Sequence, residues 1–161
     1  MRSLRRTACV LLACGLVGVS ANAQTRAAFD KIVDFSVTLK TLSAAAAGET
    51  TLAASRLFLL EGSVSEIVVL DDRPQYYKVR VELMAGEWIG VDAVRGYRCW
   101  VTFAGPEYAE VFPAEVPDEP SSDYLPLHTR ALVLARLVGP AVTPLGETVM
   151  SLEGLAARPS R

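Results

Sequence analysis

Leu57-Phe58-Leu59-Leu60-Glu61-Gly62-Ser63-Val64-Ser65-Glu66-Ile67-Val68-Val69 is the stretch on which the fold turns. Phe58, Leu60 and Val64 hold even positions, whereas Ile67 and Val69 hold odd ones. Successive side chains of a strand point to opposite faces, so the apolar phase slips near Ser65-Glu66, and Gly62 sits mid-strand. A slip inside a continuous strand requires a bulge or sharp coil, and a strand bent in that way serves two sheets at once.

Downstream the pattern stays that of β structure. Asp71-Asp72-Arg73-Pro74 turns the chain. Tyr77, Val79, Val81 and Leu83 then alternate with Lys78, Arg80 and Glu82. Ala85-Gly86 predicts a tight hairpin into a strand over 88–91, and Tyr97 to Phe103 reads as another strand ended by Gly105-Pro106. Glu107 to Phe112, between Pro106 and Pro113, predicts a short helix. Pro113 to Pro126 holds four prolines and the acids Glu115, Asp118, Glu119 and Asp123, which predicts an exposed loop. Arg130 to Val138 and Glu147 to Leu155 read as two last strands, joined through Gly139-Pro140, Pro144 and Gly146. Upstream, Phe29, Ile32, Val33 and Val37 fit helical spacing while Phe35, Val37 and Leu39 alternate as a strand would. The run Ala44 to Ala47 and the stop at Gly48 favour the helix.

A coiled first strand, a hairpin pair, a short helix and two further strands predict a mainly β fold, a five-stranded Greek-key barrel with an N-terminal helical segment over 24–50 and a barrel domain over 51–158. An irregular β-sandwich is the alternative, because the segment Asp92 to Gly96 and the acidic proline loop interrupt a compact barrel. Gly62-Ser63-Val64-Ser65-Glu66-Ile67, followed by Arg98-Cys99-Trp100-Val101 and a final strand pair, resembles the small exported OB-fold proteins of bacteria called tRNA-anti-like. That resemblance implies an OB-fold barrel over roughly Leu57 to Leu155 and carries no assigned activity.

The first residues have another character. Arg2, Arg5 and Arg6 precede an apolar run from Thr7 to Val19, and Ala21-Asn22-Ala23 is a small-x-small site before Gln24. This predicts a secretory signal over 1–23, cleaved at Ala23/Gln24, and a soluble periplasmic or secreted product with no later membrane span. Leu11-Leu12-Ala13-Cys14 offers a lipoprotein alternative through Cys14. Cleavage would leave Cys99 as the one cysteine, placed by alternation on the strand face of Tyr97, Val101 and Phe103 and read as a small buried hydrophobe.

The chain carries 16 basic against 18 acidic residues, and three of the basic ones leave with the leader. Indiscriminate phosphate-backbone binding needs many cationic contacts, so nonspecific nucleic acid is disfavoured as a partner. His128 is the single histidine, which removes the tetrahedral transition-metal sites; no triad, phosphate loop or calcium loop is spelled out, and no cofactor is implied. What remains is an outward strand face. If Tyr77, Val79, Val81, Cys99, Val101 and Phe103 point inward, Lys78, Arg80, Arg98 and Trp100 point outward with Tyr76 at the edge, an aromatic group among cations suited to a ligand. An exposed Trp100 predicts that Trp100→Ala weakens binding and spares the fold. These features predict a non-enzymatic binding module of the bacterial envelope, with a protein or a small anionic ligand as partner. The alternative is a structural or assembly component of an envelope complex, contacting its partner through 113–126 or the N-terminal helix.

Overall fold

The computed structural model describes residues 31–160. The leader, its cleavage site and Cys14 lie outside these residues, as does the first part of the helical segment expected over 24–50. No helix among the described residues is long and apolar enough to cross a membrane.

The elements are β1 (Val33–Asp34), α1 (Leu39–Ala46), β2 (Leu57–Asp71), β3 (Lys78–Ile89), β4 (Ala93–Ala104), α2 (Tyr108–Val111), β5 (Arg130–Val142) and β6 (Thr148–Pro159). Helix and strand signals compete over 27–47 because the segment contains both. Val33 and Asp34 pair in parallel with Leu57 and Phe58, and Asp34 Oδ1 accepts from the backbone N–H and hydroxyl of Ser36, which turns the chain. Thr38 then opens α1 with a capping box: the Thr41 N–H donates to Thr38 Oγ1 and the Thr38 N–H to Thr41 Oγ1. α1 thus begins at Leu39 and buries Leu39, Leu42 and Ala45, while Lys31 and Ile32, just before β1, are helical as well.

β2 behaves as its phase slip requires. Leu57 to Ser63 pair antiparallel with Arg136 to Arg130 of β5, and Ser63 to Asp71 pair antiparallel with Met84 to Lys78 of β3. The register breaks between Val64 and Glu66, leaving Ser65 as the extra residue of a bulge. At this bend the His128 N–H donates to the Val64 carbonyl and the Val64 N–H to the Thr129 carbonyl. Strand order β2-β3-β4-β6-β5 returns to β2, with β4 and β6 parallel and the other neighbours antiparallel. The ring closes, so the architecture is a five-stranded OB-fold barrel with β1 alongside, not a sandwich.

The interior holds Phe58, Leu60 and Val64 from β2, Val79, Val81 and Leu83 from β3, and Cys99, Val101 and Phe103 from β4. Ala131, Val133 and Ala135 from β5 and Leu152 from β6 complete it. α2 and the loop after it plug one end: Phe112 and Leu125 are fully buried, the Tyr77 hydroxyl donates to the Phe112 carbonyl at 2.5 Å, and the Tyr108 hydroxyl donates to the Leu155 carbonyl at 2.9 Å. The proline loop is thus irregular as expected, yet Leu125 anchors it. α1 closes the other end, where Leu39 fills the space a side chain on Gly62 would need.

Strand boundaries differ from expectation at both hairpins. Ala85-Gly86 is not a turn; β3 runs on to Ile89, and the hairpin turns at 90–92 with Gly90 at φ +68°. Asp92 to Gly96 is accordingly no interruption, because β4 starts at Ala93. Gly139-Pro140 is likewise inside β5, which continues to Val142 through a register shift between Leu137 and Gly139. At the first hairpin the β3–β4 pair runs on in unbroken register past its contacts with β2, and at the second the shift between Leu137 and Gly139 takes the glycine into the β5–β6 ladder without ending it.

Candidate functional site

β3 and β4 stay in one unbroken register from Lys78↔Ala104 to Ile89↔Ala93, so facing partners on the outer surface follow directly. Arg80 lies opposite Thr102, Glu82 opposite Trp100, Met84 opposite Arg98, Gly86 opposite Gly96 and Trp88 opposite Val94. The expected directions of Lys78, Arg80, Arg98 and Trp100 are those found, all opposite to the buried set.

Trp100 is nevertheless not an open platform. Its ring is only 8% exposed, because the Arg80 guanidinium lies 4.2 Å from the ring centroid and the indole N–H donates to Glu82 Oε2 at 3.3 Å. Glu82 also accepts from the Ser65 hydroxyl at 2.8 Å, and Arg98 stands 3.9 Å from the same carboxylate while pairing with Glu147. The structure therefore brings Arg80, Arg98 and Trp100 into one cluster, but a closed one whose organiser, Glu82, the alternation pattern shows only as an outward residue. Lys78 is exposed at the start of the same row. Tyr76 is separate, in the turn between β2 and β3, 64% exposed with the Arg73 guanidinium 5.0 Å from its ring. Arg73 also holds Asp71 as a carboxylate: the paired guanidinium and backbone N–H bring its pKa down to about 2.

The bare aromatic surface lies farther along the same face. Beyond Met84, β3 and β4 leave the barrel as a two-stranded ribbon ending at Gly90-Val91-Asp92. Its inner face is tied to α1. Glu87 accepts from Lys40 Nζ at 2.9 Å and from the Tyr97 hydroxyl at 2.5 Å, and these donors, Lys40 foremost, hold its carboxyl below the usual range. On the outer face Trp88 is 72% exposed. Between the Trp88/Val94 row and the Met84/Arg98 row the facing pair Gly86/Gly96 carries no side chains. A Cβ on Gly96 would meet nothing within 4 Å, so that side of the ribbon floor is open, whereas over Gly86 the Val94 side chain leans in, its Cγ1 3.1 Å from where a Cβ would stand. Alternation alone could not single out Trp88, since on a ribbon outside the barrel both faces contact water.

Cys99 is fully buried, and burial together with the Glu82 charge pushes its thiol far above the normal range. Alkylation of Cys99 in the folded chain should thus proceed only through unfolding. Peptide mass spectrometry after iodoacetamide treatment should find Cys99 unmodified in buffer and fully labelled in denaturant. Among the described residues no group of His, Cys, Asp and Glu is arranged to hold a metal ion. His128 sits exposed at the bend with φ +66°.

No family model matches the chain, and no curated protein matches it. Similar solved structures include small single-stranded DNA-binding proteins from Mycoplasma pneumoniae (10% identity, 65% of this chain and 91% of that one, TM-score 0.41) and Streptomyces coelicolor (17%, 65% and 93%, 0.41). A third is the Plasmodium falciparum SSB in complex with ssDNA (14%, 70% and 98%, 0.41). The expected envelope binding module, with nonspecific nucleic acid disfavoured as a partner, is corrected on this finding: the similar structures are single-stranded DNA-binding proteins. The physical weakness in the expectation is that a charge balance sums over the whole chain, whereas capture of a single strand depends on where an aromatic face is bare.

Proposed function

We propose that this chain binds single-stranded nucleic acid, with bases stacking on Trp88 over the Gly86/Gly96 floor of the β3–β4 ribbon. The observation that carries this reading is Trp88 itself, 72% exposed on the outer face beside a pair of facing glycines. A flat base needs an accessible ring face and room next to it, and every base has a π-face to offer. Lys78 at the far end of the face supplies a cation for the backbone, while Arg95, opposite Glu87, stands on the other face of the ribbon. With so few cations, base stacking dominates and the salt slope is shallow. Kinship with the tRNA-anti-like group is the finer part of this proposal, supported by the patterns of Gly62 to Ile67 and Arg98 to Val101.

Titration with oligo(dT) of fifteen nucleotides, followed by tryptophan fluorescence, tests the reading. The native chain should show quenching, and Trp88→Ala should weaken binding by about 1–3 kcal/mol, the worth of one stacked base, without changing the melting temperature. A native chain that binds neither oligo(dT) nor oligo(U) at low salt overturns it.

A further inference from the structure

The cluster around Trp100 has the composition of an anion site with its anion already present. Three donors converge on one carboxylate: the Ser65 hydroxyl reaches Glu82 Oε1 at 2.8 Å, the Trp100 indole N–H reaches Oε2 at 3.3 Å, and Arg98 stands 3.9 Å from Oε2. The Arg80 guanidinium lies over the Trp100 ring, and its Nε is buried with no hydrogen-bond partner. An oxoanion bound by a hydroxyl, an indole N–H and a guanidinium would occupy the position Glu82 holds. Glu82 reaches it from the outer face of β3, its side chain only 14% exposed. Glu147, half exposed on the turn before β6, neutralises Arg98 from the other side.

We propose that Ser65, Arg80, Arg98 and Trp100 form an oxoanion seat that Glu82 fills from within the chain, and that a phosphate group of the bound strand enters by displacing Glu82. This rests on the strand-binding reading, because the seat lies six residues, or about 20 Å, along the same β3 face from Trp88. Glu82 then holds the face closed in the absence of ligand. A ligand with phosphate oxygens restores every hydrogen bond that the departing carboxylate gives up, whereas a neutral ligand leaves the donors unpaired in a water-poor site. The seat therefore selects strands with a charged backbone over neutral ones.

Glu82→Gln, made in a Trp88→Phe background so that Trp100 is the single tryptophan, tests the seat with inorganic tripolyphosphate as probe. The variant should bind tripolyphosphate at least tenfold more tightly than the Trp88→Phe parent, with a change in Trp100 fluorescence. A folded variant with no gain overturns the seat. Should Glu82→Gln fail to fold, Glu147→Gln, which releases Arg98 at a more exposed position, should give a smaller gain of the same sign, and its absence is equally fatal. Fifteen-nucleotide oligo(dT) and a neutral-backbone analogue of the same sequence separate the two proposals. A tripolyphosphate gain without oligo(dT) binding by the native chain keeps the seat and removes the strand as its ligand. Oligo(dT) binding without a tripolyphosphate gain keeps the strand reading and removes the seat.

Discussion

Gly154→Val should leave the barrel unfolded under conditions where the native chain is intact. A Cβ at Gly154 would lie within 2.6 Å of three atoms of the Phe103 ring, closer than any side chain tolerates. Phe103 cannot move aside: it is fully buried, with Tyr108 and Phe112 at ring-centroid distances of 4.9 and 5.1 Å. Overpacking a dense interior usually costs about 1–3 kcal/mol, and a rigid aromatic trapped by two others lies at or above the top of that range. Chemical denaturation should show the loss. The double variant Phe103→Leu/Gly154→Ala should recover part of it, since residues in contact couple. If Gly154→Val melts within a degree of the native chain, the Phe103 ring does not lie against β6.

Trp100→Ala is the second large effect, and its sign reverses the expectation drawn from alternation. A ring that is 8% exposed, covered by Arg80 and bonded to Glu82, contributes packing to the outer layer of β3 and β4. Its loss should cost about 3 kcal/mol, the lower end for truncating a buried tryptophan. Trp100→Phe keeps most of the packing and deletes the indole N–H, so about 1 kcal/mol is expected there. Equal stability of Trp100→Ala and the native chain by urea denaturation would show that the ring is in water after all.

These two residues also mark the limits of the sequence. Alternation places Cys99, Val101 and Phe103 inside, and the phase slip in Leu57 to Val69 announces a strand shared between two pairings; both are found, whereas Trp100, on the opposite face, is buried and not exposed as alternation implies. Pattern cannot report what happens on an outer face once neighbours are in place. Glu82, two residues from Arg80, supplies the local acceptor that draws Trp100 down onto the sheet. Nor does a period of two show where a strand pair leaves the barrel, so the glycines at 86 and 96 read as a turn and its aftermath when they are a facing pair. Trp88 is undistinguished in the sequence for that reason: its exposure gains meaning only once the ribbon projects.

The bent strand β2 has a kinetic consequence. Leu59 to Gly62 find their ladder partners in β5 alone, and two strands and a helix intervene before that partner is reached in the chain. Until β5 arrives, this apolar segment presents unpaired backbone groups and seeks other edges, including those of neighbouring molecules. Ring closure by so distant a pairing is slow relative to the β3–β4 hairpin, which forms from adjacent sequence. Refolding from denaturant should therefore partition between closure and association, with a yield that falls as chain concentration rises.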